Sequence, residues 1–325
     1  MKIAITGITG FIAQNLAKSL FELNENQKLT IIGYCRDKNK LKQMNVLGGF
    51  DLLTLEQNYG LELVELDLGE QMPDFEGTDV VIHTAGLAHR DFAKEEKSNS
   101  LYDEVNTEMT ILLTKAALKA QVKQFIFLST IKVYDENLKR IALDSPIKPT
   151  GAYAHSKLHA ERAIEFILKK TNTSYCIIRL PLIYGVGVKA HFAELWRTVS
   201  KASVLPTGCL DDAKTMFSVD NLAHFIHTII LNEDSFNQTF LPSDDKSLTL
   251  SQWVQKIAEA QNKKVIQVPI PKFFIQLILK ILQKEKLARR VLNCEQILSD
   301  YGKLKWQAPF SIEQSLKKIA KNIKN

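Results

Sequence analysis

Tyr153-Ala154-His155-Ser156-Lys157 sets a phenol and an ammonium four residues apart at the start of a stretch with helical spacing of apolar residues. Four residues is about one turn, so both side chains lie on one helix face. A phenol with a pKa of about 10 is a poor base at neutral pH. A neighbouring ammonium favours the phenolate, and a second positive charge nearby adds to the effect. Such a pair can exchange a proton with an oxygen while hydride moves at the same carbon. Upstream, Phe127-Leu128-Ser129-Thr130 ends a β-branched and aromatic run, which aims the hydroxyl of Thr130 or Ser129 at the same place. There it would hydrogen-bond the reacting oxygen. A tyrosine and lysine at this spacing also arise by chance on helix surfaces, so the pair gains meaning only beside a hydride carrier.

The segment Thr6-Gly7-Ile8-Thr9-Gly10-Phe11-Ile12-Ala13 supplies that context. Its two glycines allow a tight turn and close approach to a pyrophosphate, and the small Ala13 permits close helix packing. The helix that follows offers unpaired N–H groups and a positive dipole end to phosphates. A dinucleotide is therefore expected over this loop, with its oxidised nicotinamide as the second positive charge. At the end of the second strand, Gly33-Tyr34-Cys35-Arg36-Asp37-Lys38 places Arg36 where it could pair with the extra phosphate of NADP(H). Asp37 beside it keeps NAD(H) possible. Asp67, closing the third strand, is a candidate for the adenine amino group or for a helix cap.

The elements that must position these residues are legible as alternation. Ile3 to Thr6, Leu29 to Cys35, Leu61 to Leu66, Val80 to Thr84, Phe125 to Ser129 and Ser174 to Leu180 read as strands. Ile12 to Leu23, Leu101 to Ala120 and Tyr153 to Lys170 read as helices. That order predicts an α/β fold, a doubly wound parallel sheet of Rossmann type over residues 1–180. After Pro181 the regularity breaks into loops rich in Gly, Pro and Asp, which predicts a smaller, mixed α/β, mainly substrate-binding part over residues 181–325, with some segments able to return to the sheet.

The 325-residue chain is long enough for two cores, and 45% hydrophobic with 24% charged residues is ordinary globular composition. A net charge of +6 does not demand a nucleic-acid partner. Cys35, Cys176, Cys209 and Cys294 lack metal-site spacing, so they read as reduced thiols with no metal. Met1 to Thr6 runs straight into a strand pattern without the apolar stretch of a secretory signal, which makes a cytoplasmic location the expectation.

In order and spacing these motifs resemble the extended short-chain dehydrogenase/reductase family, which includes nucleotide-sugar epimerases and dehydratases. Beyond the loop Thr6 to Ala13, the likeness is carried by His83-Thr84-Ala85-Gly86, Val105-Asn106-Thr107, Ser129-Thr130 before Val133-Tyr134, Pro149 ahead of Tyr153, and Arg179 with Tyr184-Gly185. It implies that Thr130, Tyr153 and Lys157 are the catalytic trio. It also implies cofactor contacts from Gly7, Thr9, Gly10, Phe11, Ile12, Arg36, Asp67, Leu68, Ala85, Gly86, Asn106, Ser129, Tyr153, Lys157 and Leu180.

Later segments, Tyr184-Gly185-Val186-Gly187, Leu205-Pro206-Thr207-Gly208 and Ser218-Val219-Asp220-Asn221-Leu222, are similar to the branch that makes N-acetylated deoxy sugars for surface polysaccharides. The resemblance then implies a UDP-linked hexosamine held by Thr130, Tyr153, His191, Phe192, Leu205 and Lys214. Lys214 departs from the arginine usual there, and His191 from an asparagine. The leading expectation is an NADP(H)-dependent 4-ketoreductase of a UDP-4-keto-6-deoxy-N-acetylhexosamine. The alternatives are a UDP-glucose or UDP-N-acetylglucosamine 4-epimerase and a non-catalytic NADP-binding regulator. Ile131 and Lys132 stand where 4,6-dehydratases of the family carry two acidic residues, so water elimination is not expected. A homodimer through the two long helices is implied by the resemblance alone.

One stretch stands apart from the site. Residues 271–284 have one very apolar side but are too few to span a bilayer, which needs about 20 apolar residues. They predict either packing against protein or peripheral membrane contact.

Overall fold

The computed structural model describes residues 1–24, 29–38, 52–87, 100–281 and 295–324. The chain begins β1 (Lys2–Thr6), α1 (Phe11–Leu23), β2 (Thr30–Cys35), α2 (Leu52–Tyr59), β3 (Glu62–Glu65) and β4 (Val80–His83). A helix over 100–119 follows, π-helical at Asp103–Glu108 and α-helical at Met109–Lys119 (α3). Next come β5 (Gln124–Thr130), the short β6 (Arg140–Ile141), α4 (Ala152–Leu168) and β7 (Ser174–Leu180).

Strands β1 to β5 and β7 pair in parallel, in the order β7-β5-β4-β1-β2-β3. The chain thus builds outward from β1 in one direction and then, from β4, in the other. The switch point lies between β1 and β4, and the crevice beyond their carboxyl ends is the ligand position of this topology. The near-continuous apolar runs of the strands follow from burial on both faces. Ile3, Ile5, Ile126 and Ile178 point to the layer of α1, while Ala4, Phe125, Phe127 and Ile177 meet Leu113 of α3 and Ile164 and Leu168 of α4. Each fully buried Ile or Phe stabilises the fold by about 1.5–3 kcal/mol.

The second part contains β8 (Leu182–Tyr184), α5 (Ala190–Lys201), β9 (Val204–Leu205), β10 (Ala213–Ser218) and α6 (Val219–Ile230). It continues through β11 (Gln238–Phe240), β12 (Ser247–Thr249), α7 (Leu250–Ala260), β13 (Ile266–Gln267), α8 (Lys272–Ile281), β14 (Gln296–Ile297) and α9 (Ile312–Lys324). Two of these elements belong to the large sheet. β11 pairs in parallel with β7 as its seventh strand, and α6 packs beside α1 through Leu222, Phe225, Ile226 and Ile229. The rest closes over a core of Tyr184, Phe192, Trp196, Trp253, Ile257, Leu316 and Ile319. Asp244 joins the two: its carboxylate accepts from Tyr184 Oη at 2.7 Å, Asn221 Nδ2 at 2.7 Å and the Ser218 amide at 3.1 Å. Cys35 and Cys176 are buried free thiols and Cys209 is a half-buried one; Cys294 lies outside the described residues.

Candidate active site

The loop after β1 is built around Gly7 and Gly10, and at Gly7 no side chain fits. Gly7 has φ of +72°, the left-handed region, and a Cβ there would lie 2.8 Å from the Ala85 backbone. Its carbonyl accepts from the Gly10 amide at 2.8 Å, which closes the turn. Gly10 then caps α1 with no side-chain acceptor, and no acidic residue occupies the helix's first turn. The first amides of α1 are thus left without a capping side chain, next to a positive dipole end, which fits a pyrophosphate. Thr9, Phe11 and Ile12 are half-buried around this turn, and Ala13 is fully buried beneath it. The residues present therefore suit a dinucleotide.

At the adenine end of such a cofactor, Arg36 is exposed at the tip of β2. Asp67 forms a turn and not the helix cap considered from sequence: its Oδ1 accepts from the Gly69 amide at 3.0 Å and its carbonyl from Gln71 at 2.9 Å. Leu68 is buried against the sheet, and Leu180 ends β7 inside the core.

Opposite the loop, the turn after β4 is fixed by Asn106. Its Oδ1 accepts from the Leu87 amide at 2.8 Å, and its Nδ2 donates to the Leu87 carbonyl at 3.1 Å and to Ser156 Oγ at 3.0 Å. Asn106 sits in the π-helical stretch, a deviation that recurs at functional sites because it re-aims a side chain. The residue thereby ties the Ala85-Gly86 turn to the helix that carries Tyr153. A Cβ on Gly86 would approach Asn106 Oδ1 to 3.0 Å and Lys157 Nζ to 3.3 Å, so the turn tolerates little beyond a hydrogen there.

Sequence reasoning gave His83 no role of its own. It is fully buried and bridges the two sides of the switch point, with Nδ1 2.7 Å from Thr6 Oγ1 and Nε2 2.9 Å from Thr110 Oγ1. Thr110 donates its proton to the Asn106 carbonyl at 2.6 Å, so Nε2 must carry the imidazole proton and Nδ1 must accept from Thr6. Burial, with the Lys157 charge nearby, pushes the His83 pKa down to about 3, which keeps the ring neutral.

The structure brings Thr130, Tyr153 and Lys157 together. Thr130 ends β5 with its hydroxyl near enough to Tyr153, in the first turn of α4, to favour the phenolate, and the Tyr102 ring lies 6.0 Å from the Tyr153 ring. Lys157, 6% exposed, donates to the Leu128 carbonyl at 3.0 Å and lies 4.5 Å from the centroid of the Phe127 ring. One expectation is corrected here. Burial pushes the Tyr153 hydroxyl up to about 12, opposed by the Thr130 hydrogen bond, and the Lys157 charge is not among the influences on it. The ammonium is aimed at the strand carbonyl and the aromatic face, so in the protein alone desolvation dominates the phenol. Burial also brings Lys157 down to about 8, with the Glu161 charge opposing.

Ser129 has a different assignment from its neighbour. Its hydroxyl donates to Glu161 Oε1 by a short hydrogen bond, behind the site, so its side chain is committed to Glu161. The same carboxylate accepts from Arg179 Nη2 at 2.7 Å and Nε at 3.2 Å, and Arg179 Nη1 donates to Tyr134 Oη at 2.9 Å. Tyr153, Lys157 and Glu161 therefore form one stripe along α4, with the buried ion pair locking β5, β7 and the Tyr134 loop beneath it. Removing one partner of such a pair strands a buried charge at a cost of about 3–5 kcal/mol. Glu161→Ala is expected to lose that much in urea denaturation.

The sequence-derived substrate residues spread over the second part. His191 is half-buried in the first turn of α5, with Nδ1 3.9 Å from Glu194 Oε2. Leu205 is half-buried on β9, and Lys214 is half-buried on β10. Burial raises the Glu295 carboxyl, and the charges of Lys214 and Lys132 pull it back, so both lysines face that acid. Phe192 is a correction: its ring is 1% exposed and packs 5.2 Å from Tyr184 and 6.1 Å from Trp253, which makes it core and leaves no side-chain surface for a sugar. Among the described residues no group of His, Cys, Asp and Glu could hold a metal ion.

Comparison with known proteins agrees with this architecture. Residues 3–240 match the model of the NAD dependent epimerase/dehydratase family. The chain belongs to that family, and it is an extended short-chain dehydrogenase/reductase type of sugar-nucleotide enzyme. It is 33% identical over 331 residues to a UDP-glucose 4-epimerase of Vibrio cholerae, covering 98% of this chain and 94% of that one. It is 26% identical to an N-acetyl-alpha-D-glucosaminyl-diphospho-ditrans,octacis-undecaprenol 4-epimerase of Escherichia coli O157:H7, covering 82% of this chain and 70% of the relative. In fold it is similar to the NAD-bound UDP-glucuronic acid 4-epimerase of Bacillus cereus, at 17% identity and a TM-score of 0.77 over 100% of this chain and 99% of that one.

Proposed function

We propose that this protein is an NAD-dependent 4-epimerase of a UDP-linked hexose or N-acetylhexosamine. The observation that carries the reading is the composition of the reacting cluster: one phenol, one hydroxyl and one buried ammonium, with buried Ile131 and exposed Lys132 following Thr130. This set serves proton and hydride exchange at a single carbon and has no second acid or base for eliminating water. The near full-length likeness to a UDP-glucose 4-epimerase supports the epimerase over the 4-ketoreductase expected from sequence.

In this reading Gly7, Gly10 and the start of α1 hold the pyrophosphate, and Lys157 and Asn106 border the nicotinamide ribose. When bound, the nicotinamide supplies the acceptor and then the donor of the C4 hydride, and its positive charge lowers the phenol that burial has raised. Thr130 orients the C4 oxygen. Tyr153 removes the C4 hydroxyl proton, holds it while the keto sugar rotates, and returns it to the oxygen on the opposite face. Exposed Leu112 on α3 and Phe166 on α4 support dimerisation through these helices.

Arg36, exposed at the end of β2, favours a second reading in which NADP(H) is exchanged at each turnover and a 4-keto sugar is reduced. Incubation of the purified protein with UDP-glucose or UDP-N-acetylglucosamine and no added cofactor separates the two. Interconversion with the corresponding 4-epimer is the expected result. No interconversion, with NADPH consumed on a UDP-4-keto-6-deoxy-N-acetylhexosamine, would replace the epimerase by the reductase.

A further inference from the structure

The region around β13 and α8 lies apart from Thr130, Tyr153 and Lys157 in the chain and combines apolar exposure with positive charge. Val204 and Ile266 are register partners in the two-stranded β9–β13 sheet and are 53% and 67% exposed. Along the same stretch of chain, Phe273 and Phe274 are 66% and 54% exposed with ring centroids 5.8 Å apart, and Leu277 is 43% exposed. On α8, Ile275 faces inward at 9% exposure, while Phe273, Phe274 and Leu277 turn outward.

The second property is charge. Residues 261–290 contain eight Lys or Arg and one acidic residue, Glu285, a surplus of seven. The remainder of the chain carries 34 basic against 35 acidic side chains. The whole positive balance of the protein therefore lies in this one stretch of sequence, of which Lys263, Lys264 and Lys272 belong to the described surface, Lys272 paired with Asp212. Exposed Lys264 beside Ile266, and exposed Lys201 at the end of α5, border the apolar residues. No described helix is long and apolar enough to cross a membrane, and α8 covers only Lys272–Ile281.

We infer that this surface docks on the anionic face of a phospholipid bilayer, with Phe273, Phe274 and Leu277 entering the headgroup boundary and Lys201 and Lys264 facing lipid phosphates. Aromatic and aliphatic side chains beside a basic flank are what an interfacial helix requires, because apolar burial and attraction to anionic lipid add. A nucleic acid would match the charge but leave the phenylalanines in water. The inference is independent of which sugar is turned over.

Cosedimentation of the full chain with vesicles tests it. The protein is expected to pellet with vesicles of equimolar phosphatidylcholine and phosphatidylglycerol, to stay in solution with phosphatidylcholine alone, and to be released as salt is raised. The double variants Phe273→Ser/Phe274→Ser and Lys201→Glu/Lys264→Glu should each lower the bound fraction by about tenfold or more while retaining wild-type melting and sugar-nucleotide turnover. Failure of the wild type to pellet with the mixed vesicles would overturn the proposal. So would a fall in oligomeric state of the serine variant with vesicle binding unchanged, which would show that a second copy covers the patch.

Discussion

Tyr153→Phe is expected to lower kcat for 4-epimerisation by about 10²–10⁴-fold, the range that a positioned proton-transfer group contributes. KM for the UDP-sugar should change little, because a lost hydroxyl that acts mainly in the transition state removes little ground-state binding. Thr130 would remain to hydrogen-bond the sugar oxygen, so the substrate still binds in place but has no phenol to take its proton. Steady-state assay of both sugar directions checks this, and both should fall together, since one phenol serves removal and return of the proton. A variant that kept its turnover would show that another group moves the proton.

Lys157→Met is expected to abolish turnover and at the same time to stabilise the fold. The ammonium is 6% exposed and burial brings it down to about 8 from an ordinary lysine value of 10.5. The sign follows from proton counting. Between about pH 8 and 10.5 the unfolded chain keeps a proton that the folded chain has released, so stability rises with pH through that window. Below about pH 8 both states are protonated and the folded state carries the full penalty, about 3 kcal/mol for a shift of this size. Methionine fills similar space without a charge, so the variant should melt several degrees higher at neutral pH and lose the rise in stability between pH 8 and 10.5. A stability lower than wild type at neutral pH would mean that the Leu128 hydrogen bond and the Phe127 ring more than offset the desolvation. Such a trade is what a functional lysine held in a dry site implies.

Much of this arrangement was readable in the residues. Strands buried on both faces announce themselves as apolar runs, so β1, β5 and β7 fall within a residue or two of their sequence-derived bounds, as do α1 and α4. Gly7 was legible because a left-handed turn against Ala85 excludes every side chain, and Tyr153 and Lys157 because their spacing equals a helical turn. What escaped sequence reasoning is non-local. Gln238–Phe240 is only three residues, too short for a pattern, and becomes a strand because β7 offers it an open edge. The Glu161–Arg179 pair joins residues 18 apart on different elements, and His83 links Thr6 to Thr110 across β1, β4 and the long helix. The fall of the phenol's pKa expected from a neighbouring ammonium failed for the same reason: direction of the Lys157 side chain and depth of burial are tertiary facts. Phe192 reads as a candidate ligand contact in the chain, yet the aromatic cluster of Tyr184, Trp196 and Trp253 claims its ring.

In the proposed reaction a hydride leaves C4 and comes back to C4 of the same sugar, under control of one phenol. Running the interconversion with UDP-sugar deuterated at C4 in ordinary water, without added cofactor, tests this directly. The 4-epimer should form with the deuterium retained at C4 and with no net change in nicotinamide absorbance. Product that has lost the label to solvent, or that forms only as added NADPH is consumed, would contradict it.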